Sequence, residues 1–148
     1  MKRILRKEFF ITLFYKQNNW HKHGVLVHTL KVCWFLLKYK QYNMLLAGLL
    51  HDIGKPIIAF QDDKDKLRDT YSFVNHEEVS YIIIKDWYIP QRTKNIVRWH
   101  YIIRDMKKCL EKGKFARYNR LTKIWNKLDD TMRKDLEMFL KCDDLGKN

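Results

Sequence analysis

A chain of 148 residues is of single-domain length and can bury a core without disulfide or metal staples. Its 46% hydrophobic and 32% charged content, with five Gly and two Pro, excludes disordered, collagen-like and low-complexity chains. Lys and Arg number 30 against 17 Asp and Glu; the formal net charge of +13 points either to a polyanionic partner, nucleic acid or nucleotide phosphate, or to a lysine-rich solubility surface.

The start, MKRILRKEFFITLFYKQ, resembles a signal peptide only superficially. Its apolar stretch runs from Phe9 to Tyr15, Lys16 follows at once, and no small-residue cleavage site is present. Residues 3–17 are predicted as a first helix. His21 and His23, in HKHG, are expected in solvent at a helix start, a substrate contact being the alternative. After Gly24, VLVHTLKVCWFLLKY sets Val25, His28, Val32, Leu36 and Tyr39 at three- and four-residue steps, the stripe of a helix. Residues 42–51, YNMLLAGLLH, are nearly all apolar, as suits a short central buried helix. Pro56 follows, and the polar stretch 61–72, QDDKDKLRDTYS, predicts a loop that can serve as a lid.

Asn75 reads as an N-cap with Glu78 three residues on, opening a helix to about Tyr88. Pro90 suits the first turn of the next helix, which carries Ile96, Val97, His100 and Ile103. Gly113 breaks the chain, residues 117–128 predict another helix, and Asp129 or Asp130 caps a last one ending near Leu145. Strand alternation is scarce, and there is neither repeat nor linker. The predicted fold is an all-α, compact single-domain helical bundle. Cys33, Cys109 and Cys142 are odd in number and lack CxxC spacing, so no disulfide framework is expected and a reducing, cytoplasmic setting is the default. No stretch approaches the roughly 18 apolar residues of a membrane span.

The sharpest chemical signal is His51-Asp52 in LLHDIGKP. Neighbours on a helix point about 100° apart and do not chelate from one regular face. At a helix C-terminus, where Gly54 and Pro56 end the turn, the chain can bend enough for both to converge. Imidazole with carboxylate suits Mn, Fe, Co, Ni or Zn, and a carboxylate can bridge two metals. Taken alone, an HD dipeptide is equally a polar helix end. Here His28 lies earlier in an apolar stripe, and Asp143 follows the apolar run Leu136, Phe139, Leu140.

In this order of His, His-Asp and distant Asp, the sequence resembles the HD-domain metal-dependent phosphohydrolases, over roughly residues 20–148 and most specifically in AGLLHDIGKP at 47–56. Residues 1–20 are then an N-terminal helix and 21–148 the family core of an HD-type bundle. Within the superfamily it is most similar to the HD domain of bacterial tRNA nucleotidyltransferases, the CCA-adding enzymes. The counterparts are His51-Asp52-Ile53-Gly54-Lys55, Asn75-His76-Glu77, Trp99-His100, and Asp143-Asp144-Leu145-Gly146-Lys147, with Asn75 in place of the usual Gly. The nucleotidyltransferase domain has no counterpart in these residues, so CCA addition is not implied.

The resemblance implies hydrolysis of phosphate esters, including 2′,3′-cyclic phosphates and phosphomonoesters, by metal-activated water. It implies His28, His51, Asp52 and Asp143 as ligands of one divalent transition metal. His76 and His100 allow a second, with Asp52 bridging; one metal or two stays open, with two favoured. Asp52 would hold the metal and orient the water. Lys55 would meet a phosphate oxygen or assist the leaving group, unless it is an ordinary solvated lysine.

The positive charge is concentrated in residues 91–134, which hold 14 basic and 4 acidic side chains, Arg98, Arg104, Lys108, Lys112, Lys114 and Arg117 among them. Trp99, Tyr101, Phe115, Tyr118 and Trp125 interleave with them; most are expected in the core. With Lys55, Arg98 and Arg104 are the candidate substrate-binding residues. The predicted partner is a nucleotide or RNA-end substrate. The alternatives are an enzyme specific for (d)NMP, (d)NTP or cyclic (di)nucleotides, and a non-catalytic nucleic-acid-binding module with a structural metal.

Overall fold

A computed structural model describes residues 6–15, 17, 18, 21 and 23–147. Ten α-helices are found among them: α1 (Lys7–Phe14), α2 (Val25–Lys38), α3 (Leu45–Leu50), α4 (Lys55–Ile58), α5 (Asp63–Leu67), α6 (His76–Ile84), α7 (Gln91–Trp99), α8 (Ile102–Glu111), α9 (Phe115–Lys127) and α10 (Asp130–Leu145). A short 3-10 turn, Tyr42–Met44, leads into α3. No strand is present among the described residues, only the isolated bridges Asn18–His21 and Phe60–Ser72. No described helix is long and apolar enough to cross a membrane.

The core follows the apolar periodicity. Val32 and Leu36 of α2 meet Met44 and Ala47, Ile84 of α6, Ile96 and Val97 of α7, and Leu136 and Phe139 of α10, all fully buried. Helix α2 packs on α3 and α10, α7 packs on α3, α6 and α10, and α8 and α9 form a hairpin beside them. Gly113, at φ 62°, makes the tight turn of that hairpin in the left-handed region where a side chain is strained. Asp129 caps α10, its Oδ1 accepting from Met132 N at 2.7 Å.

Several boundaries differ from the pattern. Helix α1 ends at Phe14, and residues 1–5 and 16 lie outside the described region. Gln17 is not helical: its carbonyl accepts from Tyr71 N at 2.9 Å and its side chain is buried. The polar stretch 61–72 is not a plain loop. Asp62 and Asp65 form a reciprocal capping box on α5, and Asp65 also accepts from Thr70 and Ser72 hydroxyls. The segment is tied down at both ends rather than free to swing. Asn75 precedes α6 in a left-handed conformation, φ 58°, with no side-chain cap, and Glu78 turns outward to Arg98. Helix α6 stops at Ile84, and Pro90 stands just outside α7 rather than in its first turn. The helix expected to run from Pro90 past Ile103 is broken at His100-Tyr101. There His100 Nδ1 donates to Val97 O at 2.7 Å.

Candidate metal centre

Helix α3 ends at Leu50, and the turn after it carries His51 and Asp52 into the middle of the bundle, both essentially inaccessible. Gly54 makes this turn possible. A Cβ there would lie 2.8 Å from Ser80 N and 2.9 Å from His76 O, so only glycine lets the turn close on α6. Gly54 N in return donates to Ser80 Oγ at 3.0 Å. The adjacent His51 and Asp52 do converge, with Nε2 3.2 Å from Oδ2.

The six sequence-selected ligands lie together and buried, in two groups: His28, His51 and Asp143, and Asp52, His76 and His100. Helix α2 brings His28 against α10, where its Nε2 stands 2.9 Å from Asp143 Oδ1 and 3.4 Å from His51 Nε2. Asp52 Oδ2 is 3.5 Å from His28 Nε2, and His51 Nε2 is 3.6 Å from Asp143 Oδ1. On the other side, His76 from the start of α6 and His100 from the end of α7 face each other, Nε2 to Nε2, at 3.3 Å. Asp52 Oδ1 is 3.5 Å from His76 and 3.9 Å from His100. One carboxylate therefore offers one oxygen to each group.

Hydrogen bonding shows what this arrangement needs. His51, His76 and His100 each direct Nδ1 at a carbonyl three residues back: Gly48 at 2.8 Å, Phe73 at 3.1 Å and Val97 at 2.7 Å. An Nδ1–H that donates leaves the neutral ring a lone pair on Nε2. The His76 and His100 lone pairs thus point at each other, an arrangement that a shared cation reconciles. Neither oxygen of Asp52 has an aligned hydrogen-bond partner, although both are buried. The distances around the first group, 2.9 to 3.6 Å, match the ligand–ligand edges of about 3.0 to 3.4 Å set by bonds of about 2.1 Å in octahedral or tetrahedral sites. The residues fit a divalent ion.

Charge is distributed accordingly. Burial opposes ionisation of Asp52, yet His51 and Lys55 hold its carboxyl well below the usual range. Burial likewise opposes Asp143, which His28, His51 and Arg104 hold low. Against burial, the two carboxylates lift His51 to about 9. Burial, with His51 nearby, takes His100 down to about 4, and burial with Lys55 pushes His76 well below its ordinary value.

A cavity of about 730 Å³ opens onto the centre, lined by Asp52, His76, His100 and Asp143 at one end. Lys55 is not the solvated lysine of the alternative reading. It is buried, its Nζ 2.7 Å from Asp52 Oδ2 and donating to Gln17 Oε1 at 3.1 Å. Arg104 lines the cavity and reaches Asp143 Oδ2 at 2.7 Å. Arg98 is not brought there: it forms a two-pronged pair with Glu78 at 2.9 and 3.1 Å and stacks on Tyr81 and Trp99, outside the cavity lining. His21 is not in open solvent. Its ring packs edge-on to His28, Nδ1 meets Asn18 Oδ1 at 3.0 Å, and burial beside Lys55 lowers it to about 3.

Sequence reasoning missed Gln17 and Ser80, which hold Lys55 and the Gly54 turn. Neither belongs to a motif, so nothing in the pattern marks them. Tyr101 was visible only as one aromatic among the cations; its ring lies against His76 with Arg104 and Lys108 over it. Of the five interleaved aromatics, Trp99, Tyr118 and Trp125 pack on the core, while Phe115 is exposed.

The fold is an all-helical bundle with two groups of His and Asp at its centre, positioned so that each could hold a metal ion. The profile of the HD domain family matches residues 25–141, and the chain belongs to that family. The family is in general one of metal-dependent phosphohydrolases, and the His and Asp groups of this chain are positioned to bind metal. The match is to the HD domain as a whole and does not select the CCA-adding branch. Comparison with curated proteins and with solved structures returned no match.

Proposed function

We propose that this chain is a phosphohydrolase acting on phosphate esters of nucleotides or RNA ends, of the 2′,3′-cyclic phosphodiesterase and phosphatase type, with two divalent metals that His28, His51, Asp143, Asp52, His76 and His100 would hold. The observation that carries the reading is the Asp52 carboxylate. It is buried, its Oδ1 without a hydrogen-bond partner and its Oδ2 ion-paired to Lys55, and it is set between two groups of converging imidazoles. The motif order of the CCA-adding HD domains and the cationic cavity wall support the RNA-end substrate.

A divalent ion held there supplies Lewis acidity, which polarises phosphoryl oxygens and makes water a competent nucleophile near neutral pH. The chain supplies the rest. His28, His51 and Asp143 hold one side, His76 and His100 the other, and Asp52 sets their separation. Arg104 stands at the cavity wall beside Asp143, where a phosphoryl oxygen gains a fixed positive charge as the ester bond to the sugar oxygen breaks. Lys55 keeps Asp52 ionised and aimed. Exclusion of bulk water from the buried ligands strengthens each of these interactions.

The test is turnover of 2′,3′-cyclic AMP, 2′-AMP, dNMPs, dNTPs, cyclic dinucleotides and RNA with a 2′,3′-cyclic end, each with Mn, Co or Ni. The expected result is hydrolysis of the 2′,3′-cyclic substrates. Turnover confined to dNMPs, dNTPs or cyclic dinucleotides replaces the RNA-end substrate with a free nucleotide. No turnover of any, with nucleic-acid binding intact in Asp52→Ala, overturns the enzyme reading in favour of a binding module.

A further inference from the structure

Charge on α9 has a single sign. The helix carries Arg117, Arg120, Lys123 and Lys127 and no acidic residue. Arg117 is held by Asp105 at 2.7 Å, but Arg120, Lys123 and Lys127 are exposed and have no ion-pair partner among the described residues. The same holds for Lys112 and Lys114 in the turn before the helix. Unneutralised like charges along one helix repel one another, and a polyanion laid over them relieves that repulsion.

These cations line two successive hollows. The central cavity ends in a wall of Lys112, Lys114 and Arg117. Along α9 lies a second hollow of about 360 Å³, lined by Ala116, Asn119, Arg120, Lys123, Ile124 and Lys127. From Lys114 to Lys127 the helix advances about 20 Å. A mononucleotide with its phosphate at Asp52 cannot also reach Lys127; a polymer can. Phe115, exposed at the start of α9, offers a flat apolar face to a base. A lipid surface would call for apolar side chains along the same face, and this one presents Arg, Lys and Asn instead.

We propose that α9 is a binding track for a single-stranded polynucleotide, its phosphates over Lys112, Lys114, Arg120, Lys123 and Lys127 and its end entering the cavity. The second half of this statement rests on the centre being a phosphohydrolase; the first does not.

The test is the triple charge reversal Arg120→Glu, Lys123→Glu, Lys127→Glu, with unchanged helical circular dichroism as the check of folding. Anisotropy of a labelled single-stranded RNA of about twelve nucleotides reads binding. The triple variant is expected to bind at least tenfold more weakly at low salt, with the log–log salt slope reduced by about 2, since each lost single-strand contact removes about 0.7. Lys38→Glu, Lys64→Glu, Lys85→Glu, an equal charge reversal elsewhere, is expected to bind within a few-fold of the natural chain. In the metal-loaded protein the triple variant should raise KM for RNA with a 2′,3′-cyclic end and leave 2′,3′-cyclic AMP turnover unchanged. RNA affinity unchanged in the triple variant, equally weakened in the matched reversal, or displaced by anionic lipid vesicles as readily as by unlabelled RNA overturns the track. If the natural chain turns over neither cyclic substrate, the phosphohydrolase reading falls, and the anisotropy arm still decides the track.

Discussion

His76 and His100 each sit at a helix boundary and donate Nδ1–H to a carbonyl three residues back, and burial keeps both rings neutral. His28, in the first turn of α2, has no such acceptor. Its Nδ1 is buried without a partner, and Asp143, 115 residues away in sequence, meets its Nε2 instead. The difference comes from helix geometry. Carbonyls in the last turn of a helix, or just ahead of its first turn, are free to accept, whereas those of the first turn are spent on the i to i−4 ladder. One half of the centre is thus oriented largely by its own local chain. In the other, His51 is anchored in the same local way to Gly48 O, but the pairing of His28 with Asp143 depends on α2 and α10 packing correctly through Val32, Leu36, Leu136 and Phe139.

The largest test of this pairing is Asp52→Ala, which removes the one residue common to both halves. Metal content measured by elemental analysis should fall from two ions to none, and turnover should fall below detection. Next, His51→Ala and His76→Ala should each abolish one ion and keep the other. Loss of both ions in His76→Ala would show that the halves load as a unit.

Protonation separates the halves further. His51 is raised to about 9 by the two carboxylates, so in the metal-free protein its contribution to stability is complete below pH 6.5 and is lost as pH rises through about 9. His100 is lowered to about 4, so its effect has the opposite sign: stability falls as pH drops from 6.5 toward 4. The metal-free melting temperature should therefore peak near pH 6.5. Loading with metal at pH 8 should release close to one proton, lost in His51→Ala and retained in His76→Ala, as titrations in buffers of different ionisation enthalpy can read.

Smaller effects are expected from the arginines. Arg104→Ala removes the partner of a ligand, and metal affinity at the His28–His51–Asp143 half should fall about 10- to 100-fold. Arg98→Ala breaks a partly exposed surface pair. It should cost no more than about 1 kcal/mol and leave metal content and turnover unchanged.

Much of this was legible in residue order. The stripe through Val25, His28, Val32 and Leu36 located α2 to within a residue, because burial on one face of a helix imposes its period on the sequence. The six His and Asp residues that come together were legible through the resemblance to HD-domain motifs, with His28, His51-Asp52 and Asp143 also marked by the apolar helical runs beside them. Arg98 was not. A basic residue two positions from His100 reads as a site residue on paper, but two steps along a helix turn a side chain by about 200° and send this one to Glu78. Glu78 misled in turn: as a capping partner for Asn75 it fits the spacing, yet Asn75 adopts a left-handed backbone that the cap does not use.

By itself, the sequence determined the helical class and the concentration of positive charge between His76 and Asp143, which are properties of composition and period, while the order of the HD-type motifs picked out the six His and Asp side chains that come together. Only the tertiary structure decided that Asp52 turns one oxygen to each group, that Gln17 comes to hold Lys55, and that the charge of α9 lies in a groove next to the cavity. Those are relations between elements far apart in the chain. Packing sets them, through contacts such as the close approach of Gly54 to α6 that no local pattern records.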